Sequence, residues 1–176
     1  MPPSLQHRLD TLDAALDALL DELAAHSAEA LDRPPAPGQW SALQVMQHLM
    51  RSEELSMRYL QKKLRYQPEL RKAGPAAALR SRLLRFYLRL PFKFKAPAPV
   101  DAPTFEADVS LEELAGRWKA NRRELRAFLD GLPDDTYDKE VYKHPFAGRL
   151  TLTGMVDFFD GHFQRHRQQI RRGLEG

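Results

Sequence analysis

Two histidines four positions apart, His162 and His166, stand in the run Asp160-Gly161-His162-Phe163-Gln164-Arg165-His166-Arg167-Gln168-Gln169-Ile170. The apolar residues around them, Met155, Phe158, Phe159, Phe163 and Ile170, recur at helical spacing and predict an amphipathic helix. Four residues make about one turn, so both imidazoles leave one face and can share one divalent ion. In the zinc-protease pattern H-E-x-x-H a glutamate follows the first histidine and acts as general base. Here that position is Phe163. The pair supplies two nitrogen ligands and no base, and it needs at least one further ligand from elsewhere in the chain.

Composition narrows the source. The 176 residues contain no cysteine, which removes disulfides, thiolate nucleophiles and cysteine-held zinc together. Any metal must be held by nitrogen and oxygen. A chain of this length suits a single domain, residues 1–176, with a substantial core. No apolar run approaches the ~18 residues of a membrane span. The opening Met1-Pro-Pro-Ser-Leu-Gln-His has neither a basic n-region nor a signal core, which points to a cytoplasmic chain. A net charge of +3 is too small to argue for nucleic acid.

Four long helices are expected to position the histidines. Leu5, Leu9, Leu12, Leu16, Leu19, Leu20 and Leu23 give a helical pattern from residue 4 to about 31, stopped by Pro34-Pro35-Ala36-Pro37-Gly38. Ser41 and Gln44 have capping-box spacing and start a second helix that runs to about Tyr66. His48 lies in its first half between Val45, Leu49 and Ser52, facing inward or toward a cleft. A lone histidine there would be a partly buried side chain with one hydrogen bond. The incomplete pair at His162 and His166 makes it a candidate third ligand. Ser110 and Glu113 start a third helix with Leu111, Leu114, Trp118, Leu125, Phe128 and Leu129 as its apolar face. Residues 137–150, with Pro145 and Gly148, read as a structured loop; Thr151 then caps the last helix, which Gly173 stops.

Between the second and third helices the chain is unusual. Residues 70–100 carry eight basic residues and no acidic one. Leu79, Leu83, Phe86, Tyr87 and Leu90 follow a helical period, and Pro91, Pro97, Pro99 and Pro103 predict an extended connection. One reading is a basic amphipathic element for an anionic lipid, nucleic acid or acidic ligand. The favoured one is a crossover helix whose leucines and phenylalanine are core and whose basic face is solvated. The architecture is therefore all-α: a four-helix bundle with a long crossover, residues 71–103, between helices two and three, so that these two can run parallel. In such a bundle His48 on helix two can meet the pair on helix four.

Trp40-Ser41, followed seven residues later by His48 and then by Leu49 and Ser52-Glu53, resembles the first motif of the DinB/YfiT-like superfamily. His144-Pro145-Phe146-Ala147-Gly148-Arg149-Leu150-Thr151-Leu152, followed by His162-x-x-x-His166-x-x-Gln169-Ile170, resembles its C-terminal motif. The resemblance covers almost the whole chain, apart from the basic crossover. It implies a four-helix bundle in which three histidines bind a divalent metal, here His48, His162 and His166. Zinc or nickel is implied first, with iron or manganese as alternatives. The superfamily includes metal-dependent thiol transferases and a thiol-dependent isomerase, so the implied activity is transfer or hydrolysis on a small molecule, with a low-molecular-weight thiol as a candidate partner.

Three neutral imidazoles leave coordination positions open, as catalytic rather than closed structural sites do. The competing class is a non-catalytic bundle that binds metal for stability or serves a stress-related binding role. Glu53, His144 and Gln169 are candidates around the ligands, Gln169 because it lies one turn after His166. Glu53 or Asp157 could instead complete a two-histidine, one-carboxylate iron site. Asp160, two positions before His162, points away from that face. His7 and His26 match no ligand pattern and are expected at the surface. Apolar faces on the bundle helices leave room for a homodimer.

Overall fold

The computed structural model describes residues 1–66, 69–89, 100–101 and 105–175. The leucine stripe forms α1, Pro3–Leu23, started by a proline in its first turn, with all seven leucines buried. Helical bonding lapses after Leu23, so the helix expected to reach residue 31 is two elements. Ser27 Oγ accepts the Ala30 N–H at 3.2 Å and starts a short α2, Ala28–Asp32. The break turns Leu31 into the core as α2 packs on the next helix. That helix, α3, spans Ala42–Arg65 and begins with the full capping box: Gln44 N–H to Ser41 Oγ at 3.2 Å and Ser41 N–H to Gln44 Oε1 at 3.0 Å. Three further helices follow: α4, Pro75–Arg89, α5, Leu111–Asp130, and α6, Leu152–Leu174. Ser110 Oγ caps α5 and Thr151 Oγ1 caps α6 as their positions predict.

Ion pairs fix the directions of the bundle. Asp10 and Asp13 meet Arg126 while Asp17 meets Lys119, so α1 and α5 are antiparallel. Arg8 bonds Asp157 and Glu22 bonds Arg171, so α1 and α6 are parallel. Gln47 bonds Glu106, Glu53 bonds Arg122 and Gln61 bonds Glu124, so α3 and α5 ascend together. The four long helices close a ring in which α1 touches α5 and α6, and α3 touches the same two. Parallel α3 and α5 require the chain to travel back the length of the bundle between them, which explains the long crossover. Among the described residues no helix is long and apolar enough to cross a membrane.

At the bundle centre a buried Glu53 accepts from Arg122 Nε at 2.9 Å, Arg122 Nη2 at 2.8 Å and Trp118 Nε1 at 2.8 Å. Arg122 also donates to the Leu12 carbonyl at 2.6 Å, and its guanidinium lies over the rings of Trp118 and Phe163. One cluster therefore ties all four long helices together. The carboxylate proposed as a neighbour of the metal ligands is committed to this core contact instead.

The crossover differs from expectation in two respects. Its helix α4 packs on α6, but through Ala77, Ser81, Leu84 and Leu88. Leu79, Leu83, Phe86 and Tyr87, read as core, are exposed at 56%, 57%, 63% and 39%. The reason is steric: α4 settles on the side-chain-free surface of Gly154 and Gly161, where an added Cβ would lie 2.6 Å from Ser81 Oγ and 3.0 Å from Leu88 Cδ1. Small and medium residues of α4 fit that seam, and its larger ones are left outside. Leu90, Pro91, Pro97, Pro99 and Pro103 lie outside the described residues. The segment read as a loop contains a hairpin, β1, Tyr142–His144, paired antiparallel with β2, Gly148–Leu150. Gly148, at φ +75°, supplies the left-handed residue that closes its three-residue turn.

Removing one partner of a buried pair strands the other charge without water. Glu53→Ala is expected to destabilise the fold by about 3–5 kcal/mol in chemical denaturation. The double replacement Glu53→Met with Arg122→Leu is expected to cost less than the sum of the two single changes, because it leaves no stranded charge.

Candidate metal centre

The antiparallel packing of α3 against α6 brings His48 to the His162 and His166 pair. One ring nitrogen from each of the three lies within 4.8 Å of the others, and among the described residues no carboxylate joins the group. His48 Nε2 lies 3.0 Å from His162 Nε2. Two imidazole nitrogens on one tetrahedral zinc stand roughly 3.3 Å apart, given bonds of about 2.0–2.1 Å, so the His48–His162 pair is close to the spacing of a shared ion.

The second nitrogen of each ring decides what the first can do. His48 Nδ1 lies 2.8 Å from the Val100 carbonyl, which can only accept. Nδ1 therefore carries the hydrogen, and Nε2 turns a lone pair toward the cluster. His166 Nδ1 donates in the same way to Gln169 Oε1 at 2.9 Å and also leaves Nε2 as a donor atom for a metal. Hydrogen bonds of this kind fix the tautomer and orientation of metal-binding imidazoles. Without an ion, His162 Nε2–H donates to His48 Nε2; a cation would take that proton's place. The donor set is three neutral nitrogens with no thiolate, and it fits a borderline divalent ion.

Aromatic walls surround the rings. Phe158, one turn before His162, stacks on it at 5.2 Å between centroids and 15° between planes. Trp40 covers His48 at 5.1 Å and is itself met edge-on by Phe105. Beside His48, Gln47 bonds the Glu106 backbone with both ends of its amide, at 3.0 and 2.7 Å. Gln47 and His48 thus pin the returning crossover across the top of α3. His48 is buried, whereas His162 and His166 keep part of their surface.

Burial in this setting pushes every ring away from its charged form. Desolvation lowers His48, with the Val100 carbonyl and Asp101 opposing it. It lowers His162 well below the ordinary range, reinforced by the neighbouring His166, His48, His144 and Arg165. His166 is brought down to about 3 by desolvation and by His48, against the Gln169 hydrogen bond. All three are neutral near pH 7, the form that binds metal.

The remaining sequence candidates fall as follows. Gln169 touches His166, as its spacing suggested. His144 lies in β1 with its ring 4.4 Å from Phe158, and desolvation brings it down to about 4. Its Nδ1 accepts the N–H groups of Phe146 and Ala147 at 3.2 and 3.1 Å, so the neutral ring carries its hydrogen on Nε2. Glu53 lies in the core described above, and Asp157 bonds Arg8. Asp160 bonds Gln164 on the outside of α6, while His7 and His26 are exposed. Sequence reasoning missed Val100, Trp40 as a wall over His48, and Phe158. Phe158 carried a signal, since it precedes His162 by one turn; the Val100 carbonyl carried none.

The fold and the residue set define a class. A family model described as the DinB superfamily matches residues 8–170, and the chain belongs to that superfamily. The uncharacterized protein YuaE of Bacillus subtilis (strain 168) is 24% identical over 151 residues, covering 86% of this chain and 87% of that protein. Among solved structures, YfiT from Bacillus subtilis, described as a probable metal-dependent hydrolase with an unusual four-helix bundle topology, superposes with a TM-score of 0.63 at 16% identity. That match covers 99% of this chain and 89% of YfiT. A conserved protein from Enterococcus faecalis gives 0.58 at 18% identity, covering 99% and 96% of the two chains. These likenesses carry the fold.

Because His144 and His166 resist protonation when folded but titrate normally, near 6.5, when unfolded, the unfolded chain binds more protons below that value. Stability of the metal-free protein is therefore present above about pH 6.5 and is lost as pH falls from there toward the folded-state values. Denaturant midpoints are expected to be lower at about pH 5 than at neutrality, and the difference is expected to shrink in His144→Gln, which removes one of these rings.

Proposed function

We propose that the protein is a divalent-metal-dependent enzyme that uses His48, His162 and His166 to hold one zinc or nickel ion and acts on a small electrophilic substrate by hydrolysis or by transfer to a thiol. The observation that carries this reading is the convergence of three neutral imidazoles, two of them oriented through their far nitrogens. The YfiT description as a probable metal-dependent hydrolase agrees with it.

Bound there, a divalent ion supplies Lewis acidity and lowers the pKa of water or a thiol at an open position. The chain contributes the rest. Val100 and Gln169 keep His48 and His166 in the binding tautomer. Trp40 and Phe158 form an apolar surround that holds back bulk water and strengthens electrostatic interactions within it. His144, held at Nδ1 by the turn of the hairpin, can offer its Nε2–H to a substrate oxygen near Phe158.

Protein purified without an affinity tag or added metal is expected to carry about one zinc or nickel ion per chain, and His48→Ala and His166→Ala are each expected to lose it. Gln169→Leu is expected to weaken metal binding by about 10–100-fold while the helical signal is unchanged. Absence of metal, together with no uptake of Zn²⁺ or Ni²⁺, overturns the reading. If metal is confirmed, hydrolysis with and without an added low-molecular-weight thiol separates the two reaction types.

A further inference from the structure

The exposed face of α4 is not explained by the bundle or by the metal centre. Leu79, Leu83 and Phe86 are each more than half exposed and lie on one helical stripe at spacings of four and three. Arg82 stands three residues from Leu79 and four from Phe86, so it borders the same stripe, and it makes no ion pair among the described residues. Exposed leucines and a phenylalanine in contiguous array mark a contact surface.

Charge identifies the kind of partner. The sequence between residues 70 and 100 has no acidic residue; Arg80 pairs with Glu140 and Arg85 with Asp157 from neighbouring elements, which leaves the exposed Arg82 as the α4 cation without an acidic partner among the described residues. The hairpin beside α4, linked to it by Arg80 Nε donating to the Arg149 carbonyl at 2.9 Å, repeats the pattern. Lys143 and Arg149 are directly opposed cross-strand neighbours, both exposed. Like charges so placed repel each other and weaken the pairing. Phe146 at the tip of the same hairpin is 76% exposed. A second copy of this cationic face would repel the first. Nucleic acid would use the arginines but has no need of a stripe of Leu79, Leu83 and Phe86. An anionic bilayer surface satisfies both features, apolar side chains entering the acyl boundary and cations meeting the headgroups.

We propose that α4 is a peripheral docking helix for anionic lipid membranes, with Leu79, Leu83 and Phe86 inserting and Arg82 contacting headgroups. The surface lies on the side of α4 away from α6 and does not depend on the activity assigned to the metal centre.

The test is co-sedimentation of the full chain with mixed phosphatidylcholine–phosphatidylglycerol vesicles, with pure phosphatidylcholine vesicles alongside. Binding to the mixed vesicles is expected, falling with added salt and weak on phosphatidylcholine. Leu83→Asp with Phe86→Asp is expected to abolish it, with helical content and metal content unchanged. Arg82→Glu, which leaves the apolar stripe intact, is expected to weaken it by about tenfold or more, and provides the reading if the double variant does not fold. No association of the wild type with anionic vesicles overturns the proposal, as does equal binding by the variants. A concentration-dependent dimer that the double variant dissociates, without vesicle binding, would assign the face to a second copy instead. Duplex DNA binding lost in Arg82→Glu but kept in the double variant would assign it to nucleic acid. Either outcome overturns the membrane proposal.

Discussion

The ion pair between Glu53 and Arg122 is the contact on which the arrangement of helices depends. A bundle held only by leucines can slide, since leucine packs about as well one turn along. Glu53 offers two oxygens to Arg122 and Trp118, and Arg122 reaches on to the backbone of α1 and lies against Phe163 of α6. Only one relative height of the four helices satisfies all of these at once. Phe163 adjoins His162, and Glu53 follows His48 by five residues on α3. The register that completes the buried pair is therefore also the register that brings the histidines together.

Histidine neutrality follows from the same packing. The aromatic walls and the buried side of α3 withhold the water that would stabilise a positive ring. The groups hydrogen-bonded to the far nitrogens of His48 and His166 are a backbone carbonyl and a glutamine, which orient the rings without charging them, and the Asp101 carboxylate only partly offsets the desolvation of His48. A carboxylate in those positions would have raised the pKa values and favoured protons over metal in mildly acidic solution.

Much of this was legible in the residues themselves. The leucine stripe, the Ser41 and Ser110 caps, Thr151 and the His162–His166 spacing are local patterns, and local patterns survive in one dimension. The parallel course of α3 and α5 followed from the length of the crossover. What escaped was decided by tertiary contact. The break before α2 depends on Ser27 capping a new turn, and a continuous apolar stripe hides it. The hairpin strands are three residues long, too short for an alternating pattern to register. The exposure of Leu79, Leu83 and Phe86 depends on two glycines some 70 residues further along the sequence, which admit the other side of α4. Glu53 looked like a site residue because of its nearness to His48 in sequence, but its orientation was set by an arginine on another helix.

The separation of His48 from His162 by 114 positions has a mechanical consequence. A single ion gripping both would act as a clip closing a loop of that length, the role a disulfide has in secreted proteins. This chain has no cysteine with which to make such a covalent link. A coordination clip differs from a covalent one in being reversible and in responding to free metal concentration. Its grip on the bundle would tighten as metal rises and slacken as it falls. The resistance of the whole molecule to unfolding would then track the metal supply of its surroundings, and a chelator would act on it much as a reductant acts on a disulfide-bonded protein.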